Sequence, residues 1–313
     1  MTPHGSQYFK GILYAILSSS TFGFAPLFTL LLIGRGLSSF EVLAYRWGVA
    51  ALALGLAALL SGRQLRIGRR DGGIICLLGI FRALTSLCLV IAYQYIATGV
   101  ASSIHFLYPL ATAIGMALFF HERLSWKTLV AILASLAGAV LLSANDFSSG
   151  GSDAMTGIVT ACLSVLFYSS YMIGVRKTRA AQLDSTVLTF YVTLFGAVLF
   201  VCCGACTTGI RWVTDGPTWL CILGLALPAT AISNITLVQA IKHIGPTLSA
   251  LFGAMEPLTA MLIGVLAFGE HFTALTAAGM ALVIAAVSSV VLNGASPTPK
   301  PAARPDTDEG GQP

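Results

Sequence analysis

Two prolines sit 148 residues apart in this chain, each in the middle of a long apolar run and inside the same local framework. The first copy reads Leu107-Tyr108-Pro109-Leu110, followed by Phe120, Glu122 and Ser125. The second reads Met255-Glu256-Pro257-Leu258, followed by Phe268, Glu270 and Thr273. Pro109 falls on Pro257, Phe120 on Phe268 and Glu122 on Glu270. A proline within a helix removes a backbone hydrogen bond and frees a carbonyl about one turn earlier. At bilayer depth such a carbonyl is tolerated only against protein or a water-filled cavity. Matched interruptions in two halves of a membrane chain are the sequence-level pointer to a transporter's binding site.

Composition agrees with a membrane environment. Of 313 residues, 56% are hydrophobic and only 9% charged, against roughly a quarter charged in soluble domains. A water-soluble fold is excluded. The net charge of +5 is not a nucleic-acid footprint, because the basic residues fill short gaps between apolar runs rather than one face. The seven cysteines lie within apolar runs as small hydrophobes, and Cys202, Cys203 and Cys206 lack a second Cys/His pair at zinc spacing. No metal and no cofactor is expected. The first apolar run, Gly11 to Ile33, is too long for a signal-peptide core and reads as a retained anchor.

Segments of about 20 residues, long enough to span, fall at 10–33, 41–61, 72–94, 99–120, 125–143, 155–175, 185–206, 217–241, 245–268 and 273–292. The expected fold class is therefore an all-α integral membrane protein with ten transmembrane helices. With a cytoplasmic amino terminus, the inner loops hold Arg63, Arg66, Arg69, Arg70, Arg123, Lys127, Arg176, Lys177, Arg179 and Lys242. Lys10, Lys300 and Arg304 lie on the same side, and the outer loops hold only Arg35 and Arg211. This positive-inside bias places both termini in the cytoplasm of a cell inner (plasma) membrane. Five helices per half is an odd number, so the second half enters upside down, as two inverted five-helix repeats. The expected organisation is a tail at 1–9, repeats at 10–143 and 155–292 joined by an external linker at 144–154, and a disordered cytoplasmic tail at 293–313.

Glu256 is the acidic residue at mid-membrane, and Arg82 the basic one at similar depth. A charge there costs at least about 3 kcal/mol and needs a partner or water. The two can pair across a cavity or each meet a charged group of a zwitterionic substrate. Arg46, near the outer end of its helix, has Glu41 close to i,i+4 spacing, which suits a local pair and a structural or gating role. Glu122 and Glu270 are expected to cap the helices that follow them. Polar residues recur at helical spacing as Ser102, His105 and Thr112; Ser249, Glu256 and Thr259; Arg82, Ser86 and Tyr93; Thr160, Ser164, Tyr168 and Tyr171; and Thr230, Asn234 and Leu237. In lipid such stripes face other helices or water. His105 reads as a neutral histidine bonded to a neighbouring helix, with proton carriage as the alternative.

This arrangement resembles the drug/metabolite transporter superfamily and is most similar to EamA-domain exporters. The resemblance covers 10–292 and rests on Gln94–Ser103, Gln239–Ser249, Tyr45-Arg46-Trp47, and the Glu256-Pro257 pair. It implies secondary transport by alternating access, often export of amino acids or related metabolites. Multidrug or cationic-compound efflux is the alternative within the family. Arg82 and Tyr108 are not general marks of the family, so a site built on Arg82 rests on the residues alone.

An integral-membrane enzyme would need a nucleophile–base set or metal ligands at depth, and no such motif stands in the sequence. A channel would show repeated filter loops, and none is visible. The expected cavity residues are Arg82, Glu256, Tyr93, His105, Pro109, Tyr168, Tyr171, Asn234 and Pro257, with Glu256 as the coupling candidate. The expected partners are a small-molecule substrate, the lipid bilayer and protons, with no nucleic acid, in a monomer or dimer.

Overall fold

A computed structural model describes residues 3–96, 98–122, 124–142, 154–207, 209–268 and 273–293, and every element among them is helical. The helices are α1 (Pro3–Phe22), α2 (Ala25–Gly34), α3 (Ser39–Leu60), α4 (Arg69–Tyr95), α5 (Thr98–His105), α6 (Tyr108–Phe120), α7 (Trp126–Leu142), α8 (Ala154–Lys177), α9 (Ser185–Thr207), α10 (Gly216–Ala226), α11 (Ser233–Leu251), α12 (Met255–Phe268) and α13 (Ala274–Asn293). Helices keep every backbone hydrogen bond within the segment, which is what hydrocarbon demands. Seven stretches are long and apolar enough to cross a membrane, and the helices Trp126–Leu141 and Ala277–Ser289 are shorter apolar ones. The chain is a multi-pass membrane protein.

The surface follows the same logic. On α3, Leu52, Leu56 and Leu60 stand on one face and are exposed, while Val42, Leu43, Ala50 and Leu54 are buried on the other. A helix with leucines on its outward face is dressed for lipid. Inside, the largest core cluster draws side chains from α1, α4, α6, α8 and α11. Helices α1 with α11 and α4 with α8 pack along each other at the centre, with α3·α9 and α7·α13 as further close pairs.

Several long stretches are interrupted. The first breaks at Gly23–Phe24, just before Pro26, and the fourth apolar run breaks at Phe106–Leu107, just before Pro109. Leu227–Ile232, containing Pro228, winds as a π-turn, and Phe252–Ala254 tightens to a 3-10 turn before Glu256 and Pro257. Within α11, Gly245 adopts φ 83° ahead of Pro246, a backbone position that only glycine takes without strain. That bend divides the continuous stretch Gly216–Thr259.

The two ends are tied separately. At one end Arg63 meets Asp184, Lys177 meets Glu122 at 2.9 Å, and Arg176 Nη1 donates to Lys242 O at 2.7 Å. At the other, Arg211 binds Glu41 and the Gly36 carbonyl, and Arg35 Nη1 donates to Pro217 O at 2.8 Å.

Helix α1 starts at Pro3, with proline in the first turn where its missing N–H costs nothing. Two local expectations are corrected here. Glu41 does not pair with Arg46: Ser38 and Glu41 form a capping box at the start of α3, and the second carboxylate oxygen accepts from the Arg211 backbone N–H at 2.8 Å. Glu122 reaches across to Lys177 of α8. Glu270, most of the linker at 144–154 and residues 294–313 lie outside the described residues.

Candidate functional site

The interruptions bring polar side chains to one buried level. Arg46 of α3 donates from Nε to Thr230 Oγ1 at 2.6 Å and from Nη2 to Ala229 O at 3.4 Å, both within the π-turn. The π-turn leaves that carbonyl open to an outside donor, as a wider helical turn does. Arg82 of α4 donates to Asn234 Oδ1 twice, from Nε at 3.2 Å and Nη2 at 2.8 Å. The Phe22 ring, at the last residue before the first break, lies 5.4 Å from each guanidinium carbon. Tyr168 and Tyr171 of α8 also face Arg82, at 5.0 and 6.0 Å. Aromatic faces attract cations, so Phe22 stands against both like charges while the two tyrosines box Arg82.

A second set lies beside them. His105 Nδ1 is 2.8 Å from Ser164 Oγ, and that hydroxyl donates to Ala161 O at 2.6 Å. The serine proton being committed there, His105 Nδ1–H is the donor, as a neutral imidazole requires of one nitrogen. Rings of His105, Tyr108 and Tyr168 meet at centroid distances of 4.7–5.3 Å. Tyr108 occupies the place in the first proline framework that Glu256 holds in the second. Its hydroxyl rests on Gly253, where a Cβ would stand 1.5 Å away, so only glycine fits that turn.

Glu256 is buried at 7% exposure, and Arg82 and Arg46 at 1% and 4%. Arg46, Arg82, Tyr93, Tyr108 and Tyr168 all lie within electrostatic range of its carboxylate. None is in ion-pair contact with it: among the described residues no carboxylate comes within 4.0 Å of Arg82 or Arg46. The direct Arg82–Glu256 pair, one of the two sequence-based alternatives, is absent from this conformation. Five buried polar atoms nearby or on adjoining turns have no partner: Arg82 Nη1, Asn234 Nδ2, Tyr171 Oη, Ser86 Oγ and Thr112 Oγ1. Buried polar groups are ordinarily satisfied, so these mark a place for water or a ligand.

The sequence-named residues divide accordingly. Arg82, Asn234, Tyr168, Tyr171, His105 and Glu256 come together, with Tyr93 within electrostatic range of Glu256, and Pro109 and Pro257 stand in the first turns of α6 and α12. Thr160, Ser249 and Thr259 bond back to their own helices instead. Phe22 and the depth of Arg46 were missed. The usable signal for Phe22 was an aromatic just ahead of Gly23 and Pro26, the first break. Two clefts lie elsewhere, one of about 480 Å³ on α2 and one of about 290 Å³ between α2, α3 and α4, lined mainly by apolar residues such as Leu27, Leu31 and Phe40.

The sequence pattern of the EamA-like transporter family matches this chain twice, over residues 9–144 and 155–292. The chain belongs to that family. Among proteins it resembles is an uncharacterized transporter of Archaeoglobus fulgidus, 24% identical over 247 residues, covering 75% of this chain and 82% of the relative. Another is the uncharacterized transporter YetK of Bacillus subtilis, 25% identical over 240 residues, covering 73% and 70%. A solved crystal structure superposes with a TM-score of 0.76 at 22% identity, covering 92% of this chain and 97% of its own. That likeness shows a shared fold. Family and relatives together make this EamA-like protein a membrane transporter.

Proposed function

We propose that this EamA-like protein is a secondary transporter that moves small metabolites, amino acids or related compounds foremost, outward across the cell inner (plasma) membrane by alternating access. The reading takes ten crossings in two inverted five-helix repeats, 10–143 and 155–292, with both termini cytoplasmic. It is supported by the double family match, by the bend at Gly245 within Gly216–Thr259, and by the separate ties at the two ends. One observation carries it above the rest. A buried, aromatic-boxed Arg82 with unpartnered donors stands near a lone Glu256, at the level where the helices break. Groups shut from both ends in this way fit an occluded intermediate between two access states.

In this reading the substrate's carboxylate meets Arg82 and its ammonium meets Glu256. Glu256 is also the proton-coupling group, since it is a buried carboxylate with no ion-pair partner within 4.0 Å among the described residues. Cationic-drug efflux is the weaker reading, because two guanidiniums against one carboxylate repel a cation. The test is efflux of an amino-acid pool from loaded proteoliposomes across an imposed pH gradient. Glu256→Gln should weaken binding of ammonium-bearing substrates and abolish the dependence on the gradient. Normal gradient-driven efflux by that variant would remove the coupling role.

A further inference from the structure

We infer that Arg82 Nη1, Asn234 Nδ2 and Tyr171 Oη form a carboxylate-binding subsite, so that the transported compound must carry a free carboxylate. This rests on the transporter reading above and adds a rule about which compounds it accepts.

Three observations converge on it. Each of the three atoms is a buried hydrogen-bond donor without a partner. Arg82 and Asn234 are 1% exposed, and Tyr171 is fully buried. Their directions are coupled: Asn234 Oδ1 accepts Arg82 Nε and Nη2, which fixes the amide so that Nδ2 can only donate elsewhere. It also leaves the two N–H groups on Nη1 as the free side of the guanidinium fork. Tyr168, Phe22 and Tyr171 enclose the guanidinium carbon at 5.0–6.0 Å, so the side chain has little freedom to seek another partner.

The charge count says what fits. Arg46 and Arg82 against Glu256 leave one positive charge uncompensated at this level, and among the described residues no carboxylate reaches either arginine. A buried charge persists when a partner is supplied. A substrate carboxylate places a counter-charge beside Arg82 and offers two acceptor oxygens to the three donor groups. A neutral amide or ester supplies neither the charge nor the second strong acceptor.

The experiment uses the purified full chain in proteoliposomes loaded with an equimolar pool of the twenty standard L-amino acids. Parallel vesicles hold the same pool as carboxamides, and efflux is followed by mass spectrometry. The expected result is that a subset of the acids leaves while the matching amides stay. Tyr171→Phe removes one hydroxyl with little change in volume. It should raise the apparent KM for those acids roughly ten-fold or more, the range for a lost hydrogen bond to a charged group, with an unchanged melting temperature. Amides leaving as fast as the acids would overturn the carboxylate subsite and leave the transporter reading standing. If no amino acid moves but lactate or benzoate does, and Tyr171→Phe weakens it, the subsite stands and the amino-acid reading falls. Efflux of tetraphenylphosphonium in place of any carboxylate would overturn both.

Discussion

Arg82 and Asn234 are locked together, with one amide oxygen accepting two of the five guanidinium N–H groups at 3.2 and 2.8 Å. The bond joins α4 to α11, residues 152 positions apart. At the 148-residue spacing of the two proline frameworks, Ser86 of α4 answers to Asn234 and Arg82 answers to Thr230. Each buried arginine therefore finds its partner in the same stretch of the second half: Arg82 at Asn234, Arg46 at Thr230.

Asn234→Asp separates structure from function at this bond. The substitution keeps the acceptor and adds the negative charge that Arg82 lacks. Folding should be preserved or improved, since a buried charge gains a counter-ion. Transport of carboxylate substrates should fall at least ten-fold, because the side chain now competes for their place. Asn234→Ala should instead lower the melting temperature, leaving Arg82 with no acceptor at a cost of about 1–3 kcal/mol. A melting curve and an efflux assay on each variant check both halves.

Phe22 carries a second prediction. Its ring lies 5.4 Å from both guanidinium carbons. Phe22→Leu keeps apolar bulk and removes the ring face. Two cation–π contacts of about 0.5–2 kcal/mol each are lost. Phe22→Tyr keeps the face. The expected order of thermal stability is wild type, then Tyr, then Leu, and equal melting of Leu and wild type would show that the ring face does not stabilise the charges.

How far the sequence foretold this can be judged residue by residue. Helix limits were close where apolar runs end in polar gaps: 41–61 was expected against Ser39–Leu60, and 185–206 against Ser185–Thr207. Apolar length and flanking charge are local, so they survive in the sequence. The breaks before Pro26 and Pro109 were legible too, because a proline disfavours helix in the residue before it and cannot donate its own backbone bond. The bonds within the site were not. Arg46–Thr230 and Arg82–Asn234 span 184 and 152 residues, and no spacing rule reaches that far. The Glu41–Arg46 pairing failed for a readable reason: Ser38-Ser39-Phe40-Glu41 is a capping-box signature, and it takes one of Glu41's oxygens for the helix start.

The Arg211–Glu41 tie is asymmetric, which gives a third prediction. The Arg211 side chain is largely exposed, while Glu41 is nearly buried. Arg211→Ala removes a screened ion pair and should cost less than about 1 kcal/mol. Glu41→Ala strands the backbone N–H groups of Ser38 and Arg211, which it accepts at 2.7 and 2.8 Å. That loss should cost about 1–3 kcal/mol. Chemical denaturation of both variants in the same detergent gives the ratio directly, and equal losses would contradict the geometry.

Gly253 tests how tightly the second proline framework seats on the first. A methyl group there would fall 1.5 Å from Tyr108 Oη and displace a ring that packs on His105 and Tyr168. Tyr108 is itself buried, so the ring has nowhere open to move. Gly253→Ala should destabilise by about 1–3 kcal/mol, the usual cost of overpacking, and should slow transport. Adding Tyr108→Phe removes the oxygen but leaves the ring carbon Cζ 2.7 Å from the new methyl, so it should recover part of the loss. Failure of the double variant to recover would place the damage in the 3-10 backbone instead.

Asp184 supplies a pH dependence at the opposite end. Burial raises its pKa, but Arg63 and the backbone N–H groups of Thr186 and Val187 outweigh that and hold the carboxyl below its ordinary 3.8. A folded pKa below the unfolded one means stability that is present above about pH 4 and lost as pH falls through the folded value. Both side chains are well over a third exposed, so screening keeps the ion-pair share below about 1 kcal/mol. Asp184→Asn should melt lower than wild type by a constant margin from pH 5 to 8, with the two curves converging below pH 4. A margin unchanged at pH 3 would mean that the Arg63–Asp184 tie owes nothing to the carboxylate's charge.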